Sequence, residues 1–314
     1  MSLQSLAFFL LVLVKMAETA AAPPITAAAF APDGRAVVIG SQAGIEIRSW
    51  PELKITGNIK TDLANVHDLS FAPDGKALLA AGGSPGEAGI VEVLTWPAAE
   101  RLQRISEHSD LVYRVAWSPD GAGFATAGAD GFCRVFDLET GKCQTCYEGH
   151  SRAVLAIVYL PDGKGIVSAG VDQTLQLWDS STGKPLRTLD NHLAAVNDLG
   201  VQPGTKMEMP VVVSISDDRT VRLWQPSIGR LMRFARIESP PRCVAWSADG
   251  KQILVGCNDG TLQSIDPDTV AVTTFPEKFA GRIHVLLAAA QLQWLIGGEV
   301  TDGSGMQRLL QPTR

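Results

Sequence analysis

Phe30-Ala31-Pro32-Asp33-Gly34 returns as Phe71-Ala72-Pro73-Asp74-Gly75, as Trp117-Ser118-Pro119-Asp120-Gly121 and as Tyr159-Leu160-Pro161-Asp162-Gly163. A looser copy stands at Val201-Gln202-Pro203-Gly204 and a sixth at Trp246-Ser247-Ala248-Asp249-Gly250. A degraded seventh lies around Ala288 to Gln291. The first four aspartates are 41, 46 and 42 residues apart, and Asp162 to Asp249 is 87, two periods. Pro fixes φ at the head of each turn and Gly takes the positive φ that closes it, so each copy marks a chain reversal.

Around each reversal the chain reads as short strands. In the third unit, residues 112–117 and 124–128 flank the Pro-Asp-Gly turn. Residues 133–137 follow Ala129-Asp130-Gly131, and 143–148 follow Glu139-Thr140-Gly141-Lys142. Runs of about four to six residues with turn signals every 8–12 argue all-β, and a repeat of about 40–45 residues suits a four-stranded propeller blade. No window sustains a helical period. A length of 314 residues suggests roughly two domains at about 150 each. The repeats replace that estimate with one domain over residues 25–314.

The clearest unit carries Gly149-His150 and, 28 positions past the histidine, Trp178-Asp179, with Ser168 and Asp172 ten and six residues before the tryptophan. With these residues in view, the chain resembles the WD-repeat (WD40) β-propeller family, of a bacterial type. The resemblance covers nearly the whole chain past Ile25 and is strongest in the middle. In that family a His, a Ser or Thr, an Asp and a Trp form a buried hydrogen-bonded tetrad. The resemblance implies such a set at His150, Ser168, Asp172 and Trp178. It implies a second at His192, Ser214, Asp218 and Trp224, with an insertion near Thr205–Pro210. A third, at His108, Thr126 and Asp130, is expected to be broken, because Phe136 lacks an indole N–H. The first, second, sixth and seventh units lack the full set. Arg48 and Leu94 stand near the tryptophan position, with Trp50 and Trp96 two residues later. The expected fold is a seven-bladed β-propeller of four-stranded antiparallel blades, the seventh degenerate.

Composition narrows the function. Lys+Arg 27 against Asp+Glu 33 gives a net charge of −6, which excludes a strongly basic nucleic-acid binder. A hydrophobic content of 46% excludes disorder. Leu6 to Val14 is apolar throughout but too short to span a bilayer, which needs about 20 residues. It suits a signal peptide over residues 1–22, with Ala20-Ala21-Ala22 as the cleavage site and a periplasmic or extracellular protein as the outcome. Against this, no Lys or Arg precedes the run and Lys15 follows it. Translation from Met16 is a further reading, and leaves a cytoplasmic protein. The segment also fits a ring-closing role: after residues 306–310 too little chain remains for an outer strand, and Lys15 to Ala20 sits at the right offset to supply one. Cleavage is the reading favoured, because losing an already solvated outer strand costs less than losing an inner one.

Cys143-x-x-Cys146 lacks the His of a haem motif, since Tyr147 follows, and lacks the second pair of a zinc site. Strand residues three apart also point to opposite faces. Register counting places Cys133 near Cys146 and Cys243 near Cys257, within disulfide range. The preferred reading is four small buried blade residues. No metal and no cofactor is expected. A His–Asp–Ser set invites a hydrolase reading, but several buried copies do not make one catalytic site.

In a propeller, the start of each innermost strand rims one mouth of the central channel. That position reads Thr26, His67, Tyr113, Leu155, Asn197, Arg242 and His284. In the family, residues near such positions often contact protein partners. The expected function is a non-catalytic, monomeric scaffold holding proteins or peptides, with no nucleic-acid or membrane-spanning role. The rivals are a ligand-binding or hydrolytic propeller using the channel mouth, and an accessory subunit of an exported redox complex.

Overall fold

The computed structural model describes residues 23–204, 208–289, 293–299 and 306–310. Residues 1–22, on which the export reading and the ring-closing strand both depend, lie outside the described residues. Among the described residues the chain is all-β, with one 3-10 turn at Pro226–Ile228. Among the described residues no helix is long and apolar enough to cross a membrane.

Six four-stranded antiparallel sheets follow one another along the chain, and we number them as blades one to six. Their innermost strands are Ile25–Phe30, Val66–Phe71, Val112–Trp117, Val154–Tyr159, Val196–Val201 and Pro241–Trp246. A last sheet has three strands, Ile283–Ala288, Gln293–Gly298 and Met306–Leu310. Its inner strand packs against Pro241–Trp246 on one side and Ile25–Phe30 on the other. The expectation of four strands per blade is therefore met in six sheets, and the last falls one strand short among the described residues. The propeller architecture itself stands.

The repeated turn explains the antiparallel order. In blade three the Gly121 amide donates to the Ser118 carbonyl at 2.9 Å, and Gly121 sits at φ +70°. Asp120 Oδ1 accepts the Ala122 amide at 3.0 Å and so holds the turn from inside. The same glycine-to-carbonyl bond closes the turns at Gly34, Gly75, Gly163 and Gly250.

Burial grades outward across a blade. The second strand of blade four, Gly165–Gly170, is buried at every residue, whereas its outer strand, Pro185–Leu189, is exposed at all but the last. Inner strands covered on both faces read as continuous apolar runs, and outer strands meet water. Between blades three and four, Ala125, Val135, Tyr147, Val154, Ile157, Ile166 and Trp178 form one core cluster. Trp178 and Trp224 are completely buried. Each such side chain contributes about 1.5–3 kcal/mol of hydrophobic stabilisation.

The cysteines require a correction. Cys133 lies opposite Tyr147, and Cys146 lies opposite Arg134. Cys243 lies opposite Gly256, and Cys257 opposite Pro241. Each supposed pair is one residue out of register, and a one-residue offset turns the side chains to opposite faces. All five cysteines are free thiols. Cys133, Cys243 and Cys257 are buried, but Cys146 is exposed, as is Cys143. A bulge adds a second correction: Phe136 pairs with Cys143, skipping Gln144. Arg134 and Phe136 share a face, so their partners Cys146 and Cys143 share one too, against the strict alternation assumed from spacing.

Candidate functional site

One bulge recurs in every inner strand. Pairing with the second strand skips a single residue: Thr26, His67, Tyr113, Leu155, Asn197, Arg242 and His284. Each is the second residue of its strand. A bulged residue is released from the ladder and its side chain is re-aimed, a device common next to binding sites. Six of the seven are half-buried, and Asn197 is buried.

Contacts run from blade to blade around this ring. The Thr26 hydroxyl donates to the Val66 carbonyl. The His67 and Tyr113 rings meet edge to face with centroids 5.4 Å apart. Asn197 Nδ2 donates to Asp217 Oδ1 at 2.7 Å and to the Pro241 carbonyl at 2.8 Å. Arg242 Nε donates to Asn258 Oδ1 at 2.8 Å. Burial lowers the pKa of both His67 and His284, and the nearby Arg242 charge pushes His284 further the same way. Both imidazoles are therefore neutral near pH 7. His67 Nε2 is buried with no hydrogen-bond partner among the described residues. The ring thus presents an aromatic, an aliphatic, neutral imidazoles, an amide and a guanidinium. That mixture suits recognition of another polypeptide.

One step deeper lies a cluster that sequence reading missed. Arg114 of blade three reaches Asp198 of blade five at 2.9 Å and Asp68 of blade two at 3.4 Å. Asp68 Oδ2 also accepts the Val115 amide, and Asp198 Oδ2 the Val244 amide, so each carboxylate ties its blade to the next. Burial raises both carboxyl pKa values, and Arg114 pulls back against it. The three line a channel cavity of about 260 Å³ with Thr26, Cys243 and His284. The missed signal is positional. These residues stand one past the bulge, where other blades carry Ala27, Ala156, Cys243 and Val285, and only a repeat-aligned reading exposes them.

The residues assigned to tetrads come together as hydrogen-bonded chains. In blade four, Trp178 Nε1 donates to Ser168 Oγ at 3.1 Å, which lies 2.8 Å from His150 Nε2; His150 Nδ1 lies 2.8 Å from Asp172 Oδ2. The indole has only a donor, so the serine hydroxyl is left to donate to Nε2, and Nδ1–H donates to the carboxylate. In blade five the distances are 2.8 Å for Trp224 to Ser214, 2.7 Å for Ser214 to His192, and 2.8 Å for His192 to Asp218.

Blade three is built differently. His108 Nε2 lies 2.7 Å from Thr126 Oγ1, and Nδ1 lies 2.9 Å from Asp130 Oδ1. Phe136 offers no donor and stacks on Phe124 instead, centroids 5.4 Å apart. Thr126 Oγ1 donates to the Arg134 carbonyl at 3.3 Å, and Arg134 Nη1 adds a charged donor to Asp130 Oδ2 at 3.0 Å. Burial pushes the Asp130 pKa up, but His108 and Arg134 outweigh it and bring it to about 2. A Cβ on Gly128 would sit 2.3 Å from both Asp130 Oδ1 and His108 Nδ1, so glycine is needed there for close approach.

Two of the thiols offer accessible chemistry, Cys143 and Cys146 on the outer strand of blade three, with burial raising the pKa of each. Among the described residues no group of three or more His, Cys, Asp or Glu is arranged to hold a metal.

A family model described as WD domain, G-beta repeat matches residues 99–137, 141–179, 183–225 and 235–266. These segments hold the tetrad residues of blades three to five and the inner three strands of blade six. WD repeat-containing protein SL1-17 of Schistosoma mansoni is 31% identical over 115 residues, 36% of each chain. WD repeat-containing protein VIP3 of Arabidopsis thaliana is 30% identical over 97 residues, 28% of this chain and 30% of its own. Coronin-7 of Mus musculus is 33% identical over 95 residues, 30% of this chain and 10% of its own. The matched stretch thus spans about a third or less of each relative.

Proposed function

We propose, from the premise that this chain belongs to the WD-repeat family, that it is a non-catalytic scaffold holding protein or peptide partners at the channel mouth. The observation that carries this reading is the ring of seven bulged residues at equivalent positions. A bulge costs ladder hydrogen bonds, and a cost repeated at one rim suits a surface built for display rather than for packing. The tetrads are read as structural. Ser168 and Ser214 are completely buried, which supports a role inside the blade over attack on a substrate. The three-stranded sheet is read as a degenerate seventh blade, supported by its packing against both blade six and blade one. Residues 1–22 are read as an export signal; intact Met1 or Met16 at the mature N-terminus in the native host contradicts that part alone.

The test pairs the wild type with Tyr113→Ala/Arg242→Ala as baits for affinity purification from the native host, read by mass spectrometry. The two side chains are half-buried and lie on blades three and six. Loss of a defined subset of partners from the variant supports the mouth. An unchanged partner set counts against it.

A further inference from the structure

The outer strand of blade five departs from the others in charge. Between Arg219 and Arg236 the chain holds Arg219, Arg222, Arg230, Arg233 and Arg236 and no carboxylate, in a protein whose net charge is −6. Only Arg222 has a carboxylate partner, Asp218 Oδ2 at 3.5 Å; the other four are exposed and meet none among the described residues. The strand Arg230–Arg236 is last in its sheet, so its outward N–H and C=O groups are unpaired. Phe234 is 48% exposed on it, with the Arg222 guanidinium 5.9 Å from the ring centroid.

A plain alternative exists. Charged residues on an edge strand keep sheets from adding to one another. That explanation does not fit the pattern here. The outer strands Ile55–Ile59, Cys143–Tyr147 and Val272–Thr274 carry no charge at all, and Pro185–Leu189 carries one. Arg101–His108 carries two arginines and Glu107, and Arg101 is ion-paired to Asp62 and Glu92. Among the described residues, three of the six four-stranded blades leave this edge without a charge, and exposed arginine without a carboxylate partner is concentrated on blade five.

We infer that the free edge of blade five docks an acidic, extended segment of a partner protein, added as a fifth strand. The register fits that mode. Phe234 and Arg236 lie opposite Arg222 and Thr220 on one face, while Arg233 lies opposite Leu223 on the other. A strand laid along this edge alternates its side chains between the faces, and finds guanidinium on both. Arginine pairs carboxylates bidentately, which gives register as well as attraction. The inference is independent of the channel mouth and goes beyond it.

The test uses a fluorescein-labelled peptide of alternating Glu and Val in fluorescence anisotropy. Arg233→Glu/Arg236→Glu is compared with Lys142→Glu/Lys164→Glu, which makes the same charge change at exposed sites on blades three and four. All four substitutions are on the surface, and matched melting curves check folding. The blade-five variant is expected to bind roughly tenfold or more weakly, since each reversal replaces an attraction by a repulsion. The control is expected to stay within about twofold of wild type. Bound peptide is expected to slow amide exchange along residues 230–236. Equal weakening in both variants, no slowed exchange, or tighter binding of a single-stranded DNA oligomer than of the peptide each overturns the inference. The Tyr113→Ala/Arg242→Ala protein is expected to bind the peptide as wild type does, so failure here leaves the mouth untouched.

Discussion

Replacing Arg114 by Met keeps the stem that packs in the channel and removes its charge. What remains is two carboxylates, Asp68 and Asp198, with side chains only 11% and 8% exposed. Removing one partner of a fully buried pair costs about 3–5 kcal/mol, because the other charge stays buried and uncompensated. The Arg114 side chain is 30% exposed, so water screens part of the interaction, and the expected loss near neutral pH is about 2–4 kcal/mol. The sign of the pH dependence follows from the two aspartates. Burial already holds their folded pKa values above 3.8, so they favour the folded state at acid pH and lose that contribution as pH rises through the folded values. Without Arg114 those values climb further. The gap between variant and wild type is therefore wide at pH 8 and narrows toward pH 5. Urea denaturation followed by tryptophan fluorescence at both pH values measures it. Adding Asp68→Asn and Asp198→Asn is expected to recover part of the loss and no more. Each aspartate accepts two amides on different oxygens, Leu69 and Val115 for Asp68, and an asparagine has one acceptor oxygen. A variant within about 0.5 kcal/mol of wild type at pH 8, or a gap equal at both pH values, refutes the idea that the triad braces the channel.

Trp224→Phe in blade five copies what blade three has in Phe136. It is expected to cost about 1–3 kcal/mol by leaving the buried Ser214–His192 chain without its donor, and unchanged stability on denaturation contradicts that chain. Thiol titration of native protein is expected to show two reacting cysteines, Cys143 and Cys146, and five after denaturation. Burial pushes Cys133 and Cys257 up to about 12, which leaves them as unreactive thiols. Acidification is expected to destabilise the fold in two stages. Burial lowers the His192 pKa below 6.5, so the unfolded chain gains a proton first as pH falls through 6.5; Asp218, pushed up by burial but brought down further by hydrogen bonds from Thr220, Leu193 and His192, loses its contribution below 3.8. His192→Gln is expected to flatten the first stage, and an unaltered pH profile by circular dichroism counts against it.

Some of this molecule is legible in its sequence because the repeat is. Pro-Asp-Gly turns fix where strands reverse, and the histidine-to-tryptophan offset fixes which side chains share a blade. The second residue of each inner strand, where the bulge falls, follows from the same counting. The thiol pairings did not. Counting outward from a turn assumes an unbroken register, and the bulge at Gln144 shifts the first pairing by one residue, whereas the second fails in an unbroken register, because the turn at Asp249-Gly250 already sets Cys243 opposite Gly256. The Asp68–Arg114–Asp198 cluster was hidden for another reason. Its members lie 46 and 84 residues apart in different blades, and only closure of the ring brings them together. The fourth blade edge and the basic edge of blade five look alike as strings of short strands. Their difference appears only when each arginine is asked for its carboxylate.

If the bulged ring is the binding surface, a photocrosslinker placed on it captures the partner inside the cell. A crosslinking amino acid at Tyr113, beside His67 on the mouth, is compared with one at Lys164 in the exposed turn of blade four. A discrete protein adduct is expected from position 113 and none of that mass from position 164. Adducts that are the same from both positions, or absent from 113 while the folded protein accumulates normally, contradict it.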